Sequence, residues 1–268
     1  MKTIEKITNL NSFISIMNKM LHSSGTQHST SQLWFRGQSN ADWDLIPSIY
    51  RHKEYGYFER EMIRDFKLLS YEMLEKQPTN ELEWLFLMQH YGLDTRLLDW
   101  SESYLIALYF AVWNYADTCD CAVWILKPWS LNLVSIQQQT IPISSYPDLD
   151  KYTLDSSQTK IVREVEGLLP IALRPVKNSA RIVAQKGVFT IHGKKTDPLN
   201  RIVEEHNLNS GDKILLESLI IDGKCKLKIL KELYYAGISY SIIFPEIQGI
   251  CNDIKIRYST DFIQQNCQ

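Results

Sequence analysis

Apolar residues recur every three or four positions early in the chain, at Ile4, Ile7, Leu10, Phe13, Ile14, Met17 and Leu21, which is the spacing of one helix face. A polar run from His22 to Ser31 follows, and Leu33-Trp-Phe-Arg-Gly then reads as a short buried strand ended by Gly37. Between Glu59 and Leu74, the positions of Met62, Phe66, Leu69 and Met73 predict an amphipathic helix that stops before Pro78. Asn80, with Glu83 three residues on, has the signature of a capping box for a helix that Gly92 ends. Tyr104 to Tyr115, capped by Ser101 or Ser103, is apolar nearly all round and reads as a central helix.

The second half carries shorter elements with more β character. Ala122-Val-Trp-Ile-Leu predicts a strand ended by Pro128, and the polar stretch from there to about Leu154 predicts a long surface excursion. Arg181 to His192 reads as two strand pieces bent at Gly187. Leu227 to Tyr235 reads as a helix stopped by Gly237, and Ile238 to Phe244 as a strand ended by Pro245. No Gly-, Ser- and Pro-rich linker divides the chain. The expectation is a single α+β domain over 1–268, with N-terminal helices around a mixed or split β-sheet, a motif-bearing core at about 30–130 and a β-rich part at about 170–268.

Composition narrows the class. The 268 residues are 44% hydrophobic and 22% charged, enough for a sizeable core and against a disordered chain. A net charge of −2 argues against a generic nucleic-acid-coating protein. No apolar run approaches the roughly 18 residues of a membrane span, the first residues lack a secretory apolar segment, and the reading is a cytoplasmic protein with no membrane partner. Five cysteines, of which only Cys119 and Cys121 are neighbours, read as free thiols rather than a metal site. All seven tryptophans fall at or before Trp129, so either the chain has two domains or its first half is an aromatic-rich site.

Candidate chemistry concentrates in Gln89-His-Tyr-Gly-Leu-Asp-Thr-Arg-Leu-Leu-Asp-Trp-Ser, where His90, Tyr91, Thr95, Arg96, Asp99 and Ser101 lie between two apolar helices. Folding alone would explain the run if Arg96 and Asp99 formed a buried pair and Asp99 or Ser101 capped a helix. Arg36, at the end of a core strand and before a Gly that permits close approach, suits the grip of a phosphate or carboxylate, or an internal pair with Asp99. Gln185 sits among Ile182, Val183 and Val188 on a predicted strand, where a buried amide normally satisfies backbone. No GxSxG elbow and no tight carboxylate cluster for two metals appears, which disfavours a serine hydrolase or a two-metal nuclease.

Trp34-Phe-Arg-Gly-Gln-Ser, the following Trp43 and Ile46-Pro-Ser, His90-Tyr-Gly-Leu-Asp-Thr-Arg-Leu-Leu-Asp-Trp-Ser and Ala107-Leu-Tyr-Phe-Ala together resemble the FRG domain, named for its Phe-Arg-Gly motif, here Phe35-Arg36-Gly37. Arg181 to Phe189 and Phe244 to Gly249 resemble segments that accompany the domain, which extends the resemblance over most of the chain. Asp94 stands where Pro is common, and Ser101 where Thr is usual. A more distant similarity is to ADP-ribosyltransferases that place an Arg, a Ser or Thr and a Glu or Gln on successive elements; here the order is Arg36, Ser101, then Gln185 or Glu246. That resemblance implies an ADP-ribosyltransferase-like fold and an NAD-consuming transferase or toxin of antiviral, abortive-infection or toxin–antitoxin systems. It implies NAD as substrate, a protein or nucleic-acid acceptor, and an antitoxin or chaperone partner. It assigns Arg36 to the phosphates, Ser101 to the ribose and Gln185 or Glu246 to the late position; with Gln185 there, an amide that cannot act as a base, that role falls to His90 or Asp99. Tyr91, Thr95, Arg96, Asp99, Trp100 and Tyr104 fall around the cofactor. The other reading, from a different class, is a binding module for a nucleotide or phosphate-bearing polymer without turnover.

Overall fold

A computed structural model describes residues 6–23, 33–51, 55–144, 147–154, 169–177 and 179–259. In the first half, α1 (Leu10–Ser23) precedes β1 (Trp34–Gln38), α2 (Ser48–Arg51), α3 (Glu59–Ser70), α4 (Glu81–His90), β2 (Leu97–Ser101), α5 (Tyr104–Val112) and β3 (Cys121–Leu126). The second half adds α6 (Pro128–Ile136), β4 (Ile171–Leu173), α7 (Ala180–Ala184), β5 (Gly187–Ile191), α8 (Leu199–Asn209) and β6 (Leu216–Ile221). It finishes with α9 (Lys226–Tyr235), α10 (Tyr240–Ile243) and α11 (Ile247–Arg257). The strands form one antiparallel sheet in the order β4-β5-β2-β1-β3-β6. Strands from both halves interleave in one α+β domain, so the uneven tryptophans mark no domain boundary.

Alternation along the strands separates two faces. Phe35 on β1 and Val123 and Ile125 on β3 face α5, with α1 and α9 completing that core. Further along the same face, Leu97, Phe189, Ile191 and Leu173 meet α3 and α4. The opposite face buries Trp34, Leu98, Trp100 and Val188 against residues of α6 and α8. β1 and β3 share five registered pairs, as do β2 and β5, whereas β1 and β2 share one, Phe35 with Ser101. Beyond that pair the sheet is split between its two central strands.

Local chemistry explains the early helices. Asn80 Oδ1 accepts the Glu83 N–H at 3.0 Å, while the Glu83 carboxylate turns back to the Thr79 N–H at 2.7 Å, a capping box displaced by one residue. Gly92 and Gly237, both at φ 84°, supply the left-handed turns after α4 and α9.

Several expectations need correction. Arg181–Ala184 is helical, because Ser179 Oγ accepts the Ile182 N–H at 3.2 Å and starts a turn of helix there; the strand begins only at Gly187. Residues 240–243 form α10, where Tyr240 stacks on Phe244 at 4.6 Å, an i,i+4 contact that a strand does not make. From residue 226 onward the regular elements of the described chain are all helices, so that stretch is less β-rich than its apolar runs suggest. The supposed excursion after Pro128 contains α6, whose Asn132 is buried and holds both backbone groups of Ala172 (Nδ2 to O 2.8 Å, N to Oδ1 2.7 Å), standing in for a strand neighbour at the β4 edge.

Candidate functional site

A cleft of about 460 Å³ opens at the split between β1 and β2, walled by α5 and α7. Arg36, Asp99, Ser101 and Gln185 all line it. Arg36 projects from β1 just past the single ladder pair, and its Nη1 donates to the Asp99 carbonyl at 2.6 Å, bridging strands that no longer pair directly. The Asp99 carboxylate lies 3.8 Å away and half-exposed. Arg36 Nε is buried with no hydrogen-bond partner, and burial, with Arg51 repelling it, lowers its pKa against the pull of Asp99. Arg51 and Arg181 also line the cleft, so three guanidinium groups face one carboxylate.

Gln185 is the C-terminal cap of α7, not a strand residue. Its carbonyl accepts from Ser101 Oγ at 2.7 Å, and the Lys186 carbonyl accepts from the Glu102 N–H at 3.0 Å, which pins the α7–β5 turn to the end of β2. Gln185 Nε2 is left buried and without a partner. The Ser101 hydroxyl also accepts from the Ser103 N–H at 3.0 Å, so its proton is committed within the protein.

The glycine of the motif has a role different from the one expected. A Cβ at Gly37 would sit 2.0 Å from the Ala107 carbonyl oxygen and 2.5 Å from the Ala111 nitrogen. The close approach that Gly37 allows is that of helix α5 to strand β1, not that of a ligand to the backbone.

The structure separates other candidates from the cleft. Arg96 and Glu59 form a buried ion pair, with Nε 2.8 Å from Oε1 and 3.0 Å from Oε2; burial opposes the Arg96 charge, yet Glu59 holds its pKa above the ordinary value. Arg96 thus pairs with Glu59 rather than Asp99. Thr95 is fully buried and bonds Gln89. Tyr104 packs in the core against Phe13 and Phe35. His90 lies 3.9 Å from Glu246, and the two stand together outside the cleft lining, with burial and then Arg181 lowering the His90 pKa. Tyr91 is exposed beside His90. Asp99 is therefore the carboxylate on the described walls, and neither His90 nor Glu246 reaches them. Trp100 borders the cleft but is 3% exposed, its indole N–H donating to Thr190 at 3.0 Å.

Several lining residues lay outside the sequence-based site, among them Gln89, Trp43, Arg51, Trp113 and Arg181. Trp43 and Trp113 are 54% and 49% exposed, wide apolar faces at the mouth. Gln89 and Trp43 stand inside motif stretches, which was the available signal. Among the described residues no group of His, Cys, Asp and Glu is arranged to hold a metal ion, and no helix is long and apolar enough to cross a membrane.

An antiparallel α+β domain with a cationic, aromatic-walled cleft at a split in its sheet is the class that fold and site define. Residues 31–119 match the FRG domain family, and the chain carries an FRG domain over that stretch. No curated protein and no solved structure matches the chain.

Proposed function

We propose that the cleft binds NAD and transfers its ADP-ribose to an acceptor, protein or nucleic acid. The observation that carries this reading is the convergence of Arg36, Asp99 and Gln185 on one cleft with buried, unpartnered donors at Arg36 Nε and Gln185 Nε2. A diphosphate is the ligand that relieves the crowding of Arg36, Arg51 and Arg181, since each guanidinium offers a planar fork to phosphate oxygens. The faces of Trp43 and Trp113 and the ring of Phe110 suit adenine and nicotinamide. In the transfer, the bond from C1′ to nicotinamide breaks with its electron pair leaving on the nicotinamide. Positive charge grows at C1′, where Asp99 stabilises it electrostatically. The acceptor nucleophile then bonds to C1′ and gives up its proton, for which Asp99 is the available base in the cleft. Gln185 orients but takes no proton. An effector of antiviral defence with this activity poisons the cell that makes it and requires a neutralising protein partner.

The test is calorimetry with NAD, together with measurement of nicotinamide release and label transfer in lysate. Arg36→Ala is expected to weaken binding at least tenfold with the melting temperature moved by less than about 3 °C. Absence of both NAD binding and nicotinamide release from folded protein overturns the proposal. One observation favours a second reading, a nucleotide-binding module without turnover: the Ser101 proton is already donated to the Gln185 carbonyl. Saturable NAD binding with no nicotinamide released would select it.

A further inference from the structure

We propose that Gln89 is a positioning residue for Asp99, set in one orientation by the hydroxyl of Thr95; the inference rests on the reading of the cleft as a transferase site. Thr95 Oγ1 accepts the Leu97 backbone N–H at 3.2 Å, so its single proton is directed to its other partner, Gln89 Oε1. With Oε1 engaged as an acceptor, the amide NH₂ of Gln89 must face the opposite way. There it donates to Asp99 Oδ2 at 2.7 Å.

Partners on both sides therefore fix the orientation of the Gln89 amide. Thr95 itself is immobile: its N–H donates to Ser48 Oγ at 3.2 Å, and its carbonyl accepts the Ile49 N–H at 3.4 Å. On the other side, Arg36 Nη1 holds the Asp99 carbonyl at 2.6 Å.

An amide NH₂ can only donate, so Asp99 Oδ2 is the acceptor that ends the relay. Oδ2 is anchored by Gln89, while Oδ1 makes no hydrogen bond among the described residues and is left for the substrate. Thr95, expected from the sequence to touch the cofactor, acts from behind the wall, through Gln89.

Two measurements decide this, one independent of turnover. In the free protein, the Gln89 side-chain amide protons are expected to exchange at least several-fold more slowly than those of exposed glutamines, and Thr95→Val to abolish that protection. In turnover, Thr95→Val and Gln89→Leu are expected to lower kcat about tenfold to a hundredfold with KM for NAD changed less than threefold, because a misplaced carboxylate is costly in the transition state. Thr95→Ser, which restores the hydroxyl, should recover most of the lost kcat. Wild-type amide exchange at the exposed rate overturns the relay whatever happens to NAD. Protected amides with kcat unmoved by both substitutions overturn its positioning role. A wild-type protein that never releases nicotinamide refutes the proposed function instead, and the exchange experiment still decides whether the relay exists.

Discussion

Gly37→Ala separates two explanations of the Phe-Arg-Gly motif. If the glycine serves helix packing, its added methyl meets the Ala107 carbonyl oxygen at 2.0 Å and the Ala111 nitrogen at 2.5 Å, and restoring an ordinary 3.4 Å contact demands that α5 retreat by about 1.4 Å. Both obstructing atoms are backbone, so no rotamer change relieves the clash. A gap of about 1 Å already forfeits up to half of the dispersion attraction across an interface, and α5 buries Ile106, Leu108, Tyr109 and Val112 around its circumference. Overpacking a core costs about 1–3 kcal/mol, and a backbone clash on a central helix belongs at or above the top of that range. Against a total stability of about 5–15 kcal/mol this is a large fraction. With a urea slope of about 3 kcal/mol per molar, the unfolding midpoint should fall by about 1 M. A loss of NAD binding with a midpoint unmoved by more than about 0.3 M would refute the packing argument and return Gly37 to the ligand.

Glu59→Gln should cost about 3–5 kcal/mol in the same assay, since it leaves the buried Arg96 guanidinium without its counter-charge; a loss below about 1 kcal/mol would mean that water or another acceptor reaches Arg96. His192 is fully buried with Nδ1 unpartnered and Nε2 at 3.2 Å from the Asp197 carbonyl, and burial pushes its pKa down to about 3 from the usual 6.5. A folded value below the unfolded one means that stability is intact above about pH 6.5 and declines as pH falls, at about 1.4 kcal/mol per unit towards the folded value. Unfolding free energies at pH 7 and pH 5 should differ by about 2 kcal/mol, with His90, lowered first by burial, adding in the same direction; equal values at the two pH values would refute the assignment.

Strong local signals in the sequence survived folding. The Asn80 cap, the glycine stops after α4 and α9 and the apolar run of α5 each depend on neighbours a few residues away, and each stands where expected. Two short apolar stretches did not, because their apolar content suits either state: Arg181–Ala184 takes its conformation from the Ser179 cap, and Tyr240–Ile243 from tertiary neighbours such as Asp253, which accepts from Ser239 and Ser241. Arg36, Asp99 and Gln185 were legible as chemistry, whereas the separation of Arg96 from Asp99 required knowing that Glu59 arrives from α3. The tryptophans divide likewise: Trp34 and Trp100 fill the core behind the sheet, while Trp43 and Trp113 stand at the mouth of the cleft.

The single ladder pair between β1 and β2 also bears on what can be cut from this protein. The stretch matched to the family, 31–119, holds both central strands and α5, yet it stops short of β3, which begins at Cys121, and of β5, which begins at Gly187. Expressed alone, it would keep the Phe35–Ser101 pair and lose the five-residue ladders that flank it on either side, presenting two bare strand edges to every neighbouring molecule. The segment by which the family is recognised is thus smaller than the segment that folds. Any graft of it onto another scaffold has to bring a strand of its own for each side.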